Sequence, residues 1–391
     1  MDLEAFDWLR TDEGQALLER ATAVAGEDPL RAQTALRRDA TPERVAVAMS
    51  QAQLRRRAMA KFGDLAARMY FTPDGLEQAT RLAVAEHRAA RLVAFGAGTV
   101  IDLGCGIGGD LIAAARAGLT AAGVDLDPER VAVARANLAA LDLPGAVSVA
   151  DATAVDHSPF DVAFADPARR GGRGRALRGW QSDAEGWTPP WSFVLSLLER
   201  DACVKVAPGI PHDLVPTGVE MEFVSDGGEV KEAALWAGRL ATVRRRATVI
   251  GDGGLATLTD EDDPGADVRQ IGEFLYEPDG AVIRAGLVTA VAAGVGGGLL
   301  DEQIAYVTSD ASYRTPFARG YRVLEELPYR ERALRAALRE RGIGRLTIKK
   351  RGVGVVPEEL RRRLSLQGPN EATIVLTRVA DQGTCLLVRP F

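Results

Sequence analysis

The sequence predicts an α/β protein: a parallel sheet, preceded by a helical region and followed by a small α+β unit. Three observations carry that expectation. Residues 1 to about 90 place apolar side chains three and four apart, the period of an amphipathic helix. From residue 98 short apolar runs alternate with helical stretches, the pattern of parallel strands joined by crossover helices. From residue 320 the charge reverses: residues 320–391 hold 15 Lys or Arg against 8 Asp or Glu, and the remaining 319 residues hold 33 against 46. The expected organisation is therefore a helical region at 1–90, the parallel α/β domain at 91–240, a mixed connecting region at 241–319 and the basic unit at 320–391.

Each element follows in order. EGQALLERATAV, PERVAVAMSQAQLRRRAMAKFGDLAARMYF and PDGLEQATRLAVAEHRAARLVAF read as helices. Thr72 before Pro73 is an N-cap followed by proline at the first helical position. The strand and helix runs of the α/β part are GTVIDLG, GDLIAAARAG, TAAGVDLD, PERVAVARANLAAL, AVSVAD, FDVAFADP, WSFVLSLLER and ACVKVAP. VEMEFVSDGGEVKEAALWA reads as two strands joined at Asp226-Gly227, expected at an antiparallel edge. In the last unit, PYRERALRAALRERG is a helix stopped by Gly342. RLTIKKRG is a strand, PEELRRRL a short helix, and EATIVLTRV and TCLLVRPF a hairpin over ADQG.

Composition excludes several classes. Apolar residues make up 47% of the chain and charged residues 26%, as in an ordinary soluble protein. The longest apolar run, Ala285 to Leu300, is Gly-rich and shorter than the roughly 20 residues of a bilayer span, so a small-residue helix in a soluble core is expected. The opening MDLEAFDWLR has no basic segment leading into an apolar run. Cys105, Cys203 and Cys385 are too dispersed for a disulfide framework or a zinc motif. A cytoplasmic protein without membrane or metal partners is the expectation; the oligomeric state is not readable.

VIDLGCGIGGDLIAAA is a strand, a glycine loop and a helix. Gly104, Gly106 and Gly109 satisfy a dinucleotide fingerprint, whereas Gly104, Gly106 and Gly108 satisfy a methyltransferase pattern. Charge separates the two ligands. Asp102 ends the strand and Asp110 begins the helix, and a pyrophosphate there would meet two carboxylates. S-Adenosylmethionine has no phosphate, and its ammonium and sulfonium favour nearby carboxylates. Asp125, at the end of the next strand, can accept from both ribose hydroxyls of either cofactor. Asp151 after the third strand can accept from the adenine amine, and Asp166 ends the fourth. Open α/β sheets bind ligands at this edge.

On these residues, the segment from 98 to about 210 resembles a class I S-adenosylmethionine-dependent methyltransferase, with its Rossmann-like sheet. MYFTPDGLEQATRLAVAEH resembles the segment preceding the sheet in trimethylguanosine synthase-type RNA methyltransferases, which implies that Phe71 and Thr72 lie near the cofactor. Leu126 and Ala152, which follow Asp125 and Asp151 directly, are expected cofactor contacts as well. Residues 320–391, with IGRLTIKKRGVGVVPEELRRRL, resemble a THUMP-like domain, a type associated with RNA binding.

Methyltransferases acting on exocyclic amines carry Asn, Asp or Ser, then two prolines and an aromatic, at the fourth strand end. A carboxylate and a backbone carbonyl accept from the amine's two N–H groups and hold its lone pair in line with the methyl group. Here Asp166 and Pro167 match, Ala168 replaces the second proline and Arg169 the aromatic. A guanidinium plane can stack on a base and reach a phosphate. Five of the ten residues 169–178 are arginine, so Asp166, Pro167 and Arg169 are the expected catalytic residues, and Arg170 and Arg173 expected RNA contacts. Lys349, Lys350 and Arg351 are further expected RNA contacts, exposed charge runs otherwise being ordinary solvated surface. Trp180 and Trp187 could form a stacking wall, Trp191 reads as core, and Lys205 and His212 can reach the pocket. The expected function is methylation of a base nitrogen of RNA, tRNA or rRNA. A small-molecule methyltransferase and a non-catalytic RNA-binding protein with a relic fold are the alternatives.

Overall fold

In the computed structural model the described residues are 2–26, 28–38, 40–169, 187–379 and 382–391. They form two compact units. The first comprises residues 1–206, 211–219 and 235–241; the second comprises 207–210, 220–234 and 242–391.

The first unit opens with helices α1 (Leu3–Leu9), α2 (Asp12–Ala23), α3 (Pro29–Leu36) and α4 (Pro42–Phe62). Thr41 caps α4 and Pro42 takes its first turn, where a missing N–H costs nothing. Phe6, Leu9, Leu18, Val45, Ala48 and Phe62 are almost fully buried, and Phe6 meets Tyr70 and Phe62 meets Phe71, so these helices pack onto the segment that leads to the sheet. Helices α5 (Pro73–Gln78) and α6 (Leu82–Phe95) lead into the sheet.

Strands β1 (Thr99–Leu103), β2 (Thr120–Asp125), β3 (Ala146–Val149), β4 (Val162–Ala165) and β7 (Ala202–Val206) lie in the order β7-β4-β1-β2-β3. Every pair in this series is parallel. Helices α7 (Gly109–Arg116) and α8 (Pro128–Ala140) make the first two crossovers. Leu103 stands opposite both Val124 and Ala165, and Ala165 opposite Val204. This register brings Asp102, Asp125, Asp166 and Lys205 to one edge of the sheet. β5 (Ala168–Arg169) and β6 (Trp187–Thr188) form a two-residue antiparallel pair beyond it. Trp191 begins a helix to Leu197 and is buried.

In the second unit, β8 (Glu220–Asp226) and β9 (Glu229–Ala237), whose last three residues belong to the first unit, are joined at Gly227–Gly228. They are not edge strands. β8 lies between β9 and β10 (Arg245–Gly251), and Glu220 through Ser225 are all buried. The alternating glutamates imitate a solvated face, but their charges are met inside: Arg246 lies 2.6 Å from Glu220, and the Thr248 hydroxyl donates to Glu222 at 2.5 Å. The apolar run from Ala285 is also not one helix. A helix at Gly280–Ala285 ends at Gly286, a second spans Val288–Gly294, and Gly298–Asp301 is already strand. Strand Gly254–Thr259 pairs antiparallel with β10, and the seven strands that follow form a separate sheet. Helices Glu331–Glu340 and Pro357–Leu364 press Leu334, Leu338, Leu360 and Leu364 into a cluster with Ile343, Ile374 and Leu376. No helix of the described residues is long and apolar enough to cross a membrane.

Candidate active site

The site grows from the turn between β1 and α7. Gly104, Gly106 and Gly108 all have positive φ, at 117°, 54° and 86°, a region that side chains other than glycine resist. The turn is held from behind. The Gly104 and Cys105 N–H groups donate to the Val124 carbonyl at 2.9 Å, and the Gly106 N–H donates to Asp125 Oδ2 at 3.0 Å. The other Asp125 oxygen accepts the Asp127 N–H at 2.9 Å. Each oxygen of this buried carboxylate thus keeps one lone pair for a further donor, as vicinal hydroxyls would require.

A cavity of about 300 Å³ lies in front of the turn, lined by Asp102, Gly104, Gly106, Asp110, Phe164, Asp166 and Lys205, and by Gly75, Gln78, Ala79 and Thr80. The α5 segment reaches it because Gly75 has no side chain: a Cβ there would stand 2.4 Å from Ile107 Cγ2. Lys61 caps the C-terminal end of the segment, its ammonium donating to the carbonyls of Leu76, Glu77 and Ala79 at 2.7–2.9 Å. The preceding residues are held by two amides. Gln51 pairs with both backbone groups of Phe71. Asn137, fully buried on α8, accepts the Tyr70 N–H at 2.6 Å and donates to the carbonyls of Tyr70 and Ile107.

The electrostatics are those of a crowded acidic site. Asp102 is 3% exposed, and its Oδ1 has no hydrogen-bond partner among the described residues. Burial pushes its carboxyl well above the usual range; Asp110, Asp166 and Asp125 add to this, and Arg88 opposes it. An orphaned, buried acceptor facing a cavity fits a cationic ligand group. Asp110 is paired with Arg88, which is itself buried and sits 4.4 Å over the Phe164 ring. Lys205 lies 2.6 Å from Asp166. Among the described residues no cluster of His, Cys, Asp or Glu could hold a metal ion.

The other expected site residues fall as follows. Gly108 is the N-cap of α7. Leu126 is 53% exposed beside Asp125, and Val149 equally exposed at the end of β3, which offers apolar surface to a flat ring. Asp151 accepts from the Thr153 N–H and hydroxyl, which keep its carboxyl below the usual range, and Ala152 is buried. Phe71 is fully buried against Phe62, and the Thr72 hydroxyl caps α5; neither lines the cavity, whose wall is supplied by the next turn, Gly75 to Thr80. Pro167 follows Asp166 half-buried, and the Arg169 backbone pairs with that of Trp187, which is buried. Arg170, Arg173 and Trp180 lie outside the described residues. Arg88 was missed by sequence reasoning; its signal was an arginine in the apolar stripe of α6, between Val84, Ala85, Ala89 and Leu92.

Residues 100–168 match the methyltransferase-domain family, residues 318–390 the THUMP domain-like family, and residues 2–58 a domain of unknown function. An S-adenosylmethionine-dependent methyltransferase of Mycobacterium tuberculosis, itself described as uncharacterized, is 40% identical over 340 residues, covering 83% of this chain and 90% of the relative. The chain belongs to the S-adenosylmethionine-dependent methyltransferases. A protein of Porphyromonas gingivalis, solved and described only as a methyltransferase, shares the fold with a TM-score of 0.75 at 22% identity, covering 95% of this chain and 96% of the other.

In the THUMP-like part of this methyltransferase, the expected basic run divides. Lys349 lies 3.0 Å from Glu277, and the Arg351 guanidinium lies 5.4 Å from the centre of the Tyr306 ring. Both line a cavity of about 860 Å³ with Arg314, Arg319 and Phe391. Lys350, between them on the strand, is exposed.

Proposed function

We propose that the enzyme methylates a base nitrogen of RNA, tRNA or rRNA, in the cytoplasm. The observation that carries this reading is Asp166: the acceptor carboxylate of an Asp-Pro pair stands in the same cavity as the glycine turn. The THUMP-like part and its excess of cations support RNA as the substrate. S-Adenosylmethionine supplies the methyl group when bound. In the proposal Asp102 takes its ammonium and Asp125 its ribose hydroxyls; Gly104, Gly106 and Gly108 allow close backbone approach, and Leu126, Asp151 and Ala152 border its adenine. Phe71 and Thr72 act through the segment they anchor. Asp166 and the backbone around Pro167 accept the target's N–H groups. The bound cofactor would supply an electrophilic methyl group to the nitrogen lone pair that Asp166 and this backbone orient, and the surplus proton on nitrogen would leave to solvent. Arg169, Arg170 and Arg173 are proposed to contact the anionic substrate.

Two measurements test the assignments. Asp125→Ala is expected to weaken S-adenosylmethionine binding by roughly 1.5–3 kcal/mol, the range for hydrogen bonds to a charged group. Calorimetry on a folded variant with unchanged affinity would remove Asp125 from the site. RNA affinity is expected to fall by about 0.7 log units per log unit of salt for each phosphate contacted. Neutralising Lys349, Lys350 and Arg351 together should flatten that slope and leave cofactor affinity unchanged. Filter binding at several salt concentrations reads both. No saturable RNA binding, or binding indifferent to the three residues, favours a small-molecule acceptor.

A further inference from the structure

Four carboxylates crowd the cofactor edge, but they are not equivalent. Asp110 has Arg88 and Asp166 has Lys205 as a resident cation. Asp102 keeps an orphaned oxygen, and Asp125 is bonded only to backbone N–H groups in the contacts above. The fold therefore leaves carboxyl oxygens open where a cationic ligand can use them and cancels the charge at the Asp-Pro pair. The cancellation is built into the sheet. β4 and β7 are parallel neighbours with Ala165 opposite Val204, so Asp166 and Lys205 are the next residues on adjacent chains. Lys205 is held in the strand at 16% side-chain exposure, and Asp166 at 35%.

We propose that Lys205 is a positioning residue that makes Asp166 a charge-neutral acceptor. Paired at 2.6 Å, one carboxylate oxygen is fixed by the ammonium and the group behaves electrostatically as an asparagine amide would. It orients the target's N–H groups without retaining the positive charge that methylation passes from sulfur to nitrogen. A bare carboxylate would hold that cationic product; a bare ammonium would repel the sulfonium. The part concerning a nitrogen acceptor rests on the function proposed above. The charge pairing itself does not.

The experiment separates the two. S-Adenosylhomocysteine is the cofactor without its methyl group and sulfonium charge, so the ratio of the two dissociation constants reports charge at the donor end and cancels effects common to both ligands. Calorimetry is run on the full chain as wild type, Lys205→Met, Asp166→Asn and the double variant. Lys205→Met should shift the ratio toward S-adenosylmethionine by about five- to tenfold, the size expected for one uncovered charge at a partly solvated site. Asp166→Asn should shift it toward S-adenosylhomocysteine by a similar factor, and the double variant should return to within about twofold of wild type. Lys205→Arg should keep the wild-type ratio. Single variants that shift it in the same direction, or a Lys205→Met ratio within twofold of wild type, overturn the proposal. With RNA and saturating cofactor, Lys205→Met should slow steady-state turnover more than about tenfold relative to its own single-turnover rate, with little change in affinity for unmethylated RNA, and Lys205→Arg should recover most of it. If the wild type transfers no methyl group to RNA, the RNA reading fails, while the ratios still decide the role of Lys205.

Discussion

Replacing Asp166 with alanine is expected to lower methyl transfer by about 10²–10³-fold, the usual loss when a preorganised transition-state partner is removed. Cofactor binding should weaken only by about five- to tenfold, the effect of the uncovered Lys205 ammonium on the sulfonium, because the glycine turn, Asp102 and Asp125 are untouched. The comparison to make is single-turnover transfer at saturating S-adenosylmethionine beside its dissociation constant. A loss in rate without a matching loss in affinity places Asp166 at the acceptor; near-native turnover would remove the amine mechanism and favour an oxygen or carbon target. Asp166→Asn should be much milder than alanine, since an amide oxygen still accepts an N–H.

The second large effect is on stability. Asn137→Ala should cost about 3–4 kcal/mol, since it strips partners from the Tyr70 N–H and from the carbonyls of Tyr70 and Ile107. At roughly 2–4 °C per kcal/mol, the unit holding the cofactor site should melt about 10 °C lower. Cofactor affinity should fall as well, because the same side chain ties the segment before α5 to the glycine turn. Thermal unfolding with and without S-adenosylmethionine measures both. A change below 1 kcal/mol would mean that water or a rearranged Gln51 replaces the lost bonds.

The parallel sheet and its acidic edge were legible in the sequence. Strand runs ending in Asp102, Asp125, Asp151 and Asp166, at spacings that fit crossover helices, put those side chains at one edge of a parallel sheet. Glycines at 104, 106 and 108 mark a turn that side chains would resist, and the two carboxylates beside it argue against a phosphate. The edge expected for β8 and β9 misled for a local reason: two strands joined at a tight turn read the same whether or not further strands pair on their outer sides. The run from Ala285 misled because composition does not say where a helix ends.

What only the tertiary structure decided are the partners. Arg88 and Asp110 are 22 residues apart, Asp166 and Lys205 39, and Tyr70 and Asn137 67. Local periodicity reports which face of an element is buried, not which side chain of another element it meets. The sequence by itself determined that aspartates stand at the strand ends beside a glycine turn. The packing of α6 and β7 decided that Asp110 and Asp166 are paired with a cation while Asp102 and Asp125 are not, because an ion pair forms only where two distant segments fix both charges within reach.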